Sequence, residues 1–402
     1  MNENPHGIVV TGIGVISPYG VGVDNLEAGL LAGRCCLEPS AGLYSGFQGT
    51  IAQVRGLTPL ARKPHLRPSR TDQLAVVAAR DAMVTSGISH EVFSEGGIVM
   101  ASTVAGLTEI DPAIIQDPAA WYRHGGLSRA SSYPVTHVAD AVGEYLGIRG
   151  PRCAVTVACA SGAMSIALAA NMLLDGVAAV VLAGGSDALC PFTLSGFNAL
   201  QALDASPCRP FDNGRAGLNL GEGAAILILE TFRSASARHA RILAVLRGWA
   251  MNNDAFHPTA PHNQGRGLAA CMNSAMEMAG VSPDEIGYVN AHGTGTPLND
   301  AAETKAYESA FGVRERPVPV SSTKSYFGHC LGAAGALEAA ATISGVRSGS
   351  LFPTLRLSDP IESPCVDWLM GGPRYEPLPL AMTVSAGFGG SNAVLVFGRC
   401  DA

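Results

Sequence analysis

The sequence predicts an α/β fold, a sheet with helices on its faces, assembled from two pseudo-duplicated βα halves. Three observations carry that expectation. Residues 154–183 alternate strand, helix and strand. The same alternation returns between residues 286 and 344. The 402 residues are 47% hydrophobic and include 48 glycines, which suits a large core of closely approaching elements.

The elements follow in order. Residues 8–10 are a short β-rich run ending in Thr11-Gly12-Ile13-Gly14, where the glycines suit a tight strand exit. GIGVIS lacks the third glycine of GxGxxG, so no phosphate loop is expected there. Residues 71–86 carry apolar positions at helical spacing, with Gly87 as C-cap. Residues 98–102 read as a strand, and 134–146 as a helix stopped near Gly147. In the centre, 154–158 is a strand, 162–175 a helix and 177–183 a strand. That helix is apolar nearly all round and is therefore expected to be buried. The second half gives strands at 286–291 and 318–322, a small-residue helix at 331–344, and a hairpin of strands 381–386 and 392–397 through Gly387-Phe388-Gly389-Gly390. The repetition divides the chain into halves 1–239 and 240–402.

Composition excludes several function classes. The net charge is −7 and no basic tail or Lys/Arg block appears, which disfavours a general nucleic-acid binder. No run of about 18 apolar residues free of charges and turn signals appears, so no membrane span is expected. The first residues lack a basic n-region and a signal-cleavage pattern. Ten cysteines are scattered without a CxxC pair, as expected for reduced thiols in a cytoplasm. HGTGTP and FGHCLG offer one histidine each and no HExxH occurs, so no metal is expected.

The chemistry centres on Cys159, where the strand-like VTVA of VTVACASGAM hands over to the apolar helix. A helix N-terminus lowers a thiol pKa and offers free N–H groups to an oxyanion. Ala160, Ser161 and Gly162 leave room for a substrate to approach. His292 stands at a strand end in NAHGTGTPLND, with Asp300 and Glu303 placed to cap a helix and orient neighbours. His329, in SSTKSYFGHCLGAAGALE, lies near a helix start that favours neutral imidazole, with Lys324 and Glu338 on either side. One cysteine with two histidines permits several chemistries. A thiol protease needs one histidine and an orienting amide, whereas two neutral imidazole donors suit an enolate, with an acyl group held on the thiol.

In these motifs the chain resembles the elongating β-ketoacyl-(acyl carrier protein) synthases, condensing enzymes of the thiolase superfamily. The resemblance runs end to end through VVTGIGVISPYG, VACASGA, RPFDNGRAGLNLGEGAAILILE, NAHGTGTPLND, SSTKSYFGHCLGAAGALE and AGFGGSNA. It implies an αβαβα thiolase-like fold, a homodimer with a heterodimer as the alternative, and a ping-pong reaction without cofactor, the phosphopantetheine arriving on the carrier protein. Cys159 matches the nucleophile that takes the acyl chain. His292 and His329 match the pair that promotes malonyl decarboxylation. Lys324 matches the lysine supporting the second histidine, and Glu338 its acidic partner. The N–H groups of Cys159 and Phe388 match the oxyanion hole. Phe388, with Gly387 and Gly389, matches the gating loop. Thr294 and Thr296 match threonines on the pantetheine arm, while Ile110, Phe197 and Ala386 match positions along the acyl chain. Arg62, Lys63, Arg67 and Arg70 form the densest basic cluster, on the face that docks the acidic carrier in the family.

Three departures could suit a specialised chain, such as a polyene, aryl or polyketide chain, and leave a housekeeping fatty-acid enzyme as the equal alternative. Ala386 stands where a bulky aromatic is common, Ile110 aligns loosely with the residue that limits acyl length, and Ser131-Ser132-Tyr133 replaces an apolar segment. A non-catalytic chain-length partner typically loses the nucleophile, which this chain keeps. A thiolase keeps a second cysteine where this chain reads GFGGSN.

Overall fold

The computed structural model describes residues 7–40, 49–61, 63, 66–109, 117, 119, 123 and 130–400. The first half contributes β1 (Ile8–Ser17), α1 (Arg70–Ser86), β2 (Gly97–Ala101), α2 (Thr136–Leu146), β3 (Arg152–Val155), α3 (Ser161–Leu174), β4 (Val180–Asp187) and β5 (Gly223–Thr231). The second contributes β6 (Ala244–Asn253), α4 (Arg266–Ala279), β7 (Tyr288–Asn290), α5 (Pro297–Phe311), β8 (Val318–Ser321), α6 (Ala334–Ser348), β9 (Leu380–Gly387) and β10 (Ser391–Gly398).

The strand order is β3-β2-β4-β5-β1 in the first half and β8-β7-β9-β10-β6 in the second, with the halves joined by the antiparallel pair β1–β6. The two orders are the same, strand for strand. The pair directions also repeat: the third, second and fourth strands run parallel, and the fifth pairs antiparallel with both neighbours. Val366–Trp368 extends the sheet beside β8. Helices α1 and α2 cover the outer face of the first half, α4 that of the second, and α3 and α6 pack together between the half-sheets. One apolar cluster fills this central layer, and two others lie under the outer helices. Among the described residues no helix is long and apolar enough to cross a membrane.

Several elements have physical origins that the sequence reading placed elsewhere. Strand β1 does not stop at its glycines but runs through them. A Cβ on Gly14 would lie 1.9 Å from the Ala78 carbonyl oxygen, so these glycines let α1 lie directly on the strand. Helix α1 starts at a capping box between Ser69 and Asp72 and ends at Gly87 in the left-handed conformation, φ 60°. Strand β3 ends at Val155, short of the expected 158, and β4 starts at Val180 rather than 177. Strands β5 and β6 and helix α4 were not anticipated. The hairpin β9–β10 is as expected, pairing Gly387 with Ser391.

The small residues after Cys159 also serve packing rather than substrate access. A Cβ on Gly162 would lie 2.8 Å from both the Ala336 nitrogen and the Gly332 oxygen of the second half. Gly162→Ala should therefore cost about 1–3 kcal/mol by overpacking the α3–α6 contact. Urea unfolding of the purified variant checks this, and an unchanged midpoint would contradict it.

Candidate active site

The site forms where equivalent turns of the two halves meet. In each half a turn leads from the third strand into a central helix. One turn carries Cys159, between β3 and α3, and the other carries Lys324 and His329, between β8 and α6. His292 follows β7, and Phe388 follows β9.

The Cys159 turn is strained. Ala158 takes φ 51°, which costs an L-residue roughly 1–2 kcal/mol. The Ser161 hydroxyl holds it, accepting from the Val157 N–H at 2.8 Å and donating to the Ala158 carbonyl at 2.6 Å. Sequence reasoning gave Ser161 only a steric part. The signal available was a hydroxyl two residues after the thiol, at the first position of the helix.

Cys159 is enclosed at this turn. It is 7% exposed, and the Phe388 backbone N–H bonds its sulfur. Gly387 lies so close to this turn that a Cβ there would sit 3.1 Å from the Cys159 nitrogen and the Val157 oxygen. Burial pushes the thiol up to about 11, outweighing the pull of the Lys324 charge and the Phe388 N–H. The expected depression of this pKa is thus corrected, because desolvation of the thiolate wins.

The His292 and His329 rings meet edge to face with centroids 5.4 Å apart. One nitrogen of each and the Cys159 sulfur lie within 4.8 Å of one another. The His329 Nδ1 accepts the Leu331 N–H at 3.0 Å, so the ring proton sits on Nε2. That Nε2 has no protein partner among the described residues, and His329 lines the cleft. Lys324 Nζ lies 3.3 Å from the His292 Nδ1, donates to the His292 carbonyl at 2.6 Å, and is ion-paired with Glu338. Lysine has no acceptor, so the His292 proton also sits on Nε2. The lysine expected to support the second histidine therefore supports the first.

Both imidazoles are neutral. Burial, then the Lys324 charge, pushes each well below 6.5, with His329 adding to the effect on His292. Histidine-dependent chemistry should consequently show no titration near pH 6.5. A pH–rate profile of malonyl-thioester decarboxylation checks this, and an ascending limb centred there would contradict it. The same three residues are the one group among the described residues with the spacing to hold a metal. Their protonation opposes that use, because a ligating imidazole needs its free lone pair on the nitrogen facing the ion.

Buried carboxylates shape the HGTGTP loop. Glu303 accepts the His292 and Gly293 N–H groups at 2.7 and 2.8 Å and the Tyr307 hydroxyl at 2.6 Å. Asp300 accepts from Thr294, Gly295 and Phe211. Neither caps its own helix, whose N-cap residue Thr296 makes no side-chain cap bond. Thr294 and Thr296 bond one another at 2.9 Å and line the cleft.

The cleft is about 380 Å³ and is also lined by Cys159, His292, Phe197, Ala386 and Phe388. Phe197 stacks on Phe388 with centroids 5.6 Å apart. Gly389, at φ 79°, donates to the Pro258 carbonyl at 2.7 Å, which ties the GFGG turn to a second loop. Ser131, Ser132 and Tyr133 are not among the described residues lining this cleft.

The basic cluster is less available than expected. Arg70 is bound by the buried Glu222 and by the Val54 carbonyl, because that carboxylate would otherwise lie uncompensated in the core. Lys63 bonds the Glu144 carbonyl and lies 5.1 Å from the centre of the Tyr145 ring. Arg67 is half-buried. Arg62 and Ile110 lie outside the described residues.

Two family models match the chain: the β-ketoacyl synthase N-terminal domain over residues 6–235 and the C-terminal domain over residues 243–358. The chain belongs to the β-ketoacyl synthase family, and its layered architecture is the thiolase-like fold. It is 34% identical over 413 residues to the 3-oxoacyl-[acyl-carrier-protein] synthase 2 of Coxiella burnetii, covering 98% of each chain. It is 35% identical to the enzyme of the same name from Vibrio harveyi, covering 97% of this chain and 98% of the relative. Among solved structures it is similar to the ishigamide ketosynthase/chain length factor, with TM-score 0.89, 31% identity, and coverage of 98% and 99%. It is also similar to a ketosynthase in complex with its chain length factor from Xenorhabdus doucetiae, with TM-score 0.81, 28% identity and full coverage of both chains.

Proposed function

We propose that this chain is a β-ketoacyl-(acyl carrier protein) synthase in which Cys159, His292 and His329 carry out a decarboxylative condensation. The observation that carries this reading is the pair of neutral imidazoles, each with its proton on Nε2, beside one buried thiol.

The reaction divides into two transfers. In the first, the Cys159 sulfur attacks an acyl thioester, the carrier's carbon–sulfur bond breaks, and the thiol proton ends on the departing sulfur. The thiol is protonated at rest, so this transfer needs no net proton from the protein. In the second, a malonyl thioester loses carbon dioxide. The freed electron pair builds charge on the thioester oxygen, where the two Nε2–H donors meet it without prior proton movement. The carbanion attacks the acyl carbon, with the Cys159 and Phe388 N–H groups suited to hold the oxyanion. The carbon–sulfur bond to Cys159 breaks, and the thiolate takes one proton from water. No resident cofactor enters; Thr294 and Thr296 at the cleft suit a pantetheine arm brought by the carrier.

In this reading 1–239 carries the nucleophile and 240–402 the histidines, supported by the repeated strand order. The partners are an acyl carrier protein and a second subunit, either a copy of this chain or, as the similar ketosynthases solved with chain length factors support testing, a different one. A small Ala386 beside Phe388 suits a bulky or rigid acyl chain. Elongation assays with saturated, unsaturated and aryl acyl carriers test the function, and no product from any carrier would overturn it. Ala386→Phe should cut kcat/KM for the bulkiest accepted chain about tenfold or more while sparing the shortest. Equal losses across the panel would remove Ala386 from the specificity determinants.

A further inference from the structure

Asp187 ends β4, the first-half counterpart of β9, and the mechanism above does not use it. Its side chain is fully buried with no cationic partner at salt-bridge distance among the described residues. It accepts the Ser102 hydroxyl at 2.6 Å, the Thr103 N–H at 3.0 Å, the Thr103 hydroxyl at 2.7 Å and the Val104 N–H at 2.9 Å. One of its two shortest bonds reaches into the other half, where Oδ2 accepts the Gly332 N–H at 2.6 Å. A Cβ on Gly332 would lie 2.8 Å from that oxygen.

Gly332 follows Leu331, whose N–H fixes the His329 tautomer. Leu331 takes φ 51°, a strained conformation that persists only when its surroundings enforce it. One end of this turn is held by the His329 N–H on the Asn219 carbonyl at 2.7 Å and the Gly221 N–H on the His329 carbonyl at 3.0 Å. The other end is held by Asp187. The pseudo-duplication gives the arrangement a counterpart: the end of β9 holds the Cys159 turn through Gly387 and Phe388, and the end of β4 holds the His329 turn through Asp187.

Building on the proposed condensation chemistry, we infer that Asp187 is a positioning residue. It anchors the strained Leu331–Gly332 turn so that the Leu331 amide keeps the His329 proton on Nε2, aimed at the decarboxylating thioester.

The test separates this role from a merely structural one and from failure of the functional reading. In Asp187→Asn a single acceptor oxygen faces donors on two sides, so the hold on Gly332 weakens. Nitrogen NMR of histidine-labelled protein reads the His329 tautomer independently of activity. The expected result is a mixture of tautomers, malonyl-carrier decarboxylation reduced about 10- to 100-fold, and Cys159 acylation by an acyl carrier kept within about twofold. Asp187→Glu, which keeps both acceptor oxygens, should restore much of the decarboxylation. A wild-type tautomer in Asp187→Asn, or decarboxylation and acylation falling together, would overturn the inference. If Asp187→Asn does not fold, Ser102→Ala/Thr103→Val removes both hydroxyls that aim the carboxylate. It should give the same split at about 3- to 10-fold, and an unchanged ratio of the two rates would overturn it. Wild-type protein that neither acylates nor decarboxylates would instead refute the condensation reading.

Discussion

Cys159→Ala is expected to abolish the covalent acyl adduct and to reduce condensation at least about 1,000-fold, because no other thiol is placed to take the chain. The neighbouring Cys330 is buried, and burial pushes its thiol well above the usual range. The malonyl branch should behave differently. His292, His329 and Lys324 are untouched by the substitution, so decarboxylation of malonyl carrier without condensation should persist. Intact-mass analysis after incubation with acyl carriers reads the first outcome, and carbon dioxide release reads the second. An adduct that survives in the variant would move the nucleophile elsewhere. Loss of both activities would mean that Cys159 is also needed to hold the malonyl thioester.

Lys324→Ala is expected to cost about 3–5 kcal/mol of stability, since it leaves the Glu338 carboxylate buried without its partner. Both side chains are 1% exposed. The ammonium also holds the His292 ring and carbonyl, so decarboxylation should fall even where the variant stays folded. Replacing the pair together by Lys324→Met/Glu338→Leu should recover most of the stability but not the activity, because an apolar pair of similar volume removes the uncompensated charge. Urea denaturation of the three proteins distinguishes these contributions. A single-variant cost below about 1 kcal/mol would show that water reaches Glu338 when the lysine is removed.

The three candidate residues of the site were legible because they sit in short, ordered motifs, and the fold brings them together. Cys159, His292 and His329 come together from sequence separations that no local pattern encodes, yet each motif fixed its own residue. What the sequence could not show was direction and environment. Lys324 was paired with the wrong histidine, since a lysine five residues from His329 can reach across to His292 only in the folded turn. The Cys159 pKa was placed on the wrong side of its ordinary value, because helix position is visible in sequence and enclosure is not. Arg70 looked like a docking cation because its partner Glu222 is 152 positions away. Glycines 14 and 162 read as a turn and an access route, whereas they mark close approaches between elements. Strand β5 was missed although every residue from Gly223 to Glu230 is buried. A continuous apolar run has no alternation to announce it. Asp187 left no signal at all, as its donors come from two distant turns.

The first strand has a consequence for how the protein is made. Ile8–Ser17 is buried along its whole length; apart from the short turn-back of Gly20–Val21 onto its end, its neighbours in the sheet are Gly223–Thr231 on one side and Ala244–Asn253 on the other. Neither exists when the strand leaves the ribosome. At a synthesis rate of ~5–20 residues per second, the nascent chain carries this apolar segment unpaired for roughly 10–45 s. Most of both edges is open to other chains for that time, which is the circumstance in which strands aggregate. Yield in a heterologous host should therefore depend on chaperone supply during translation more than on the stability of the finished fold.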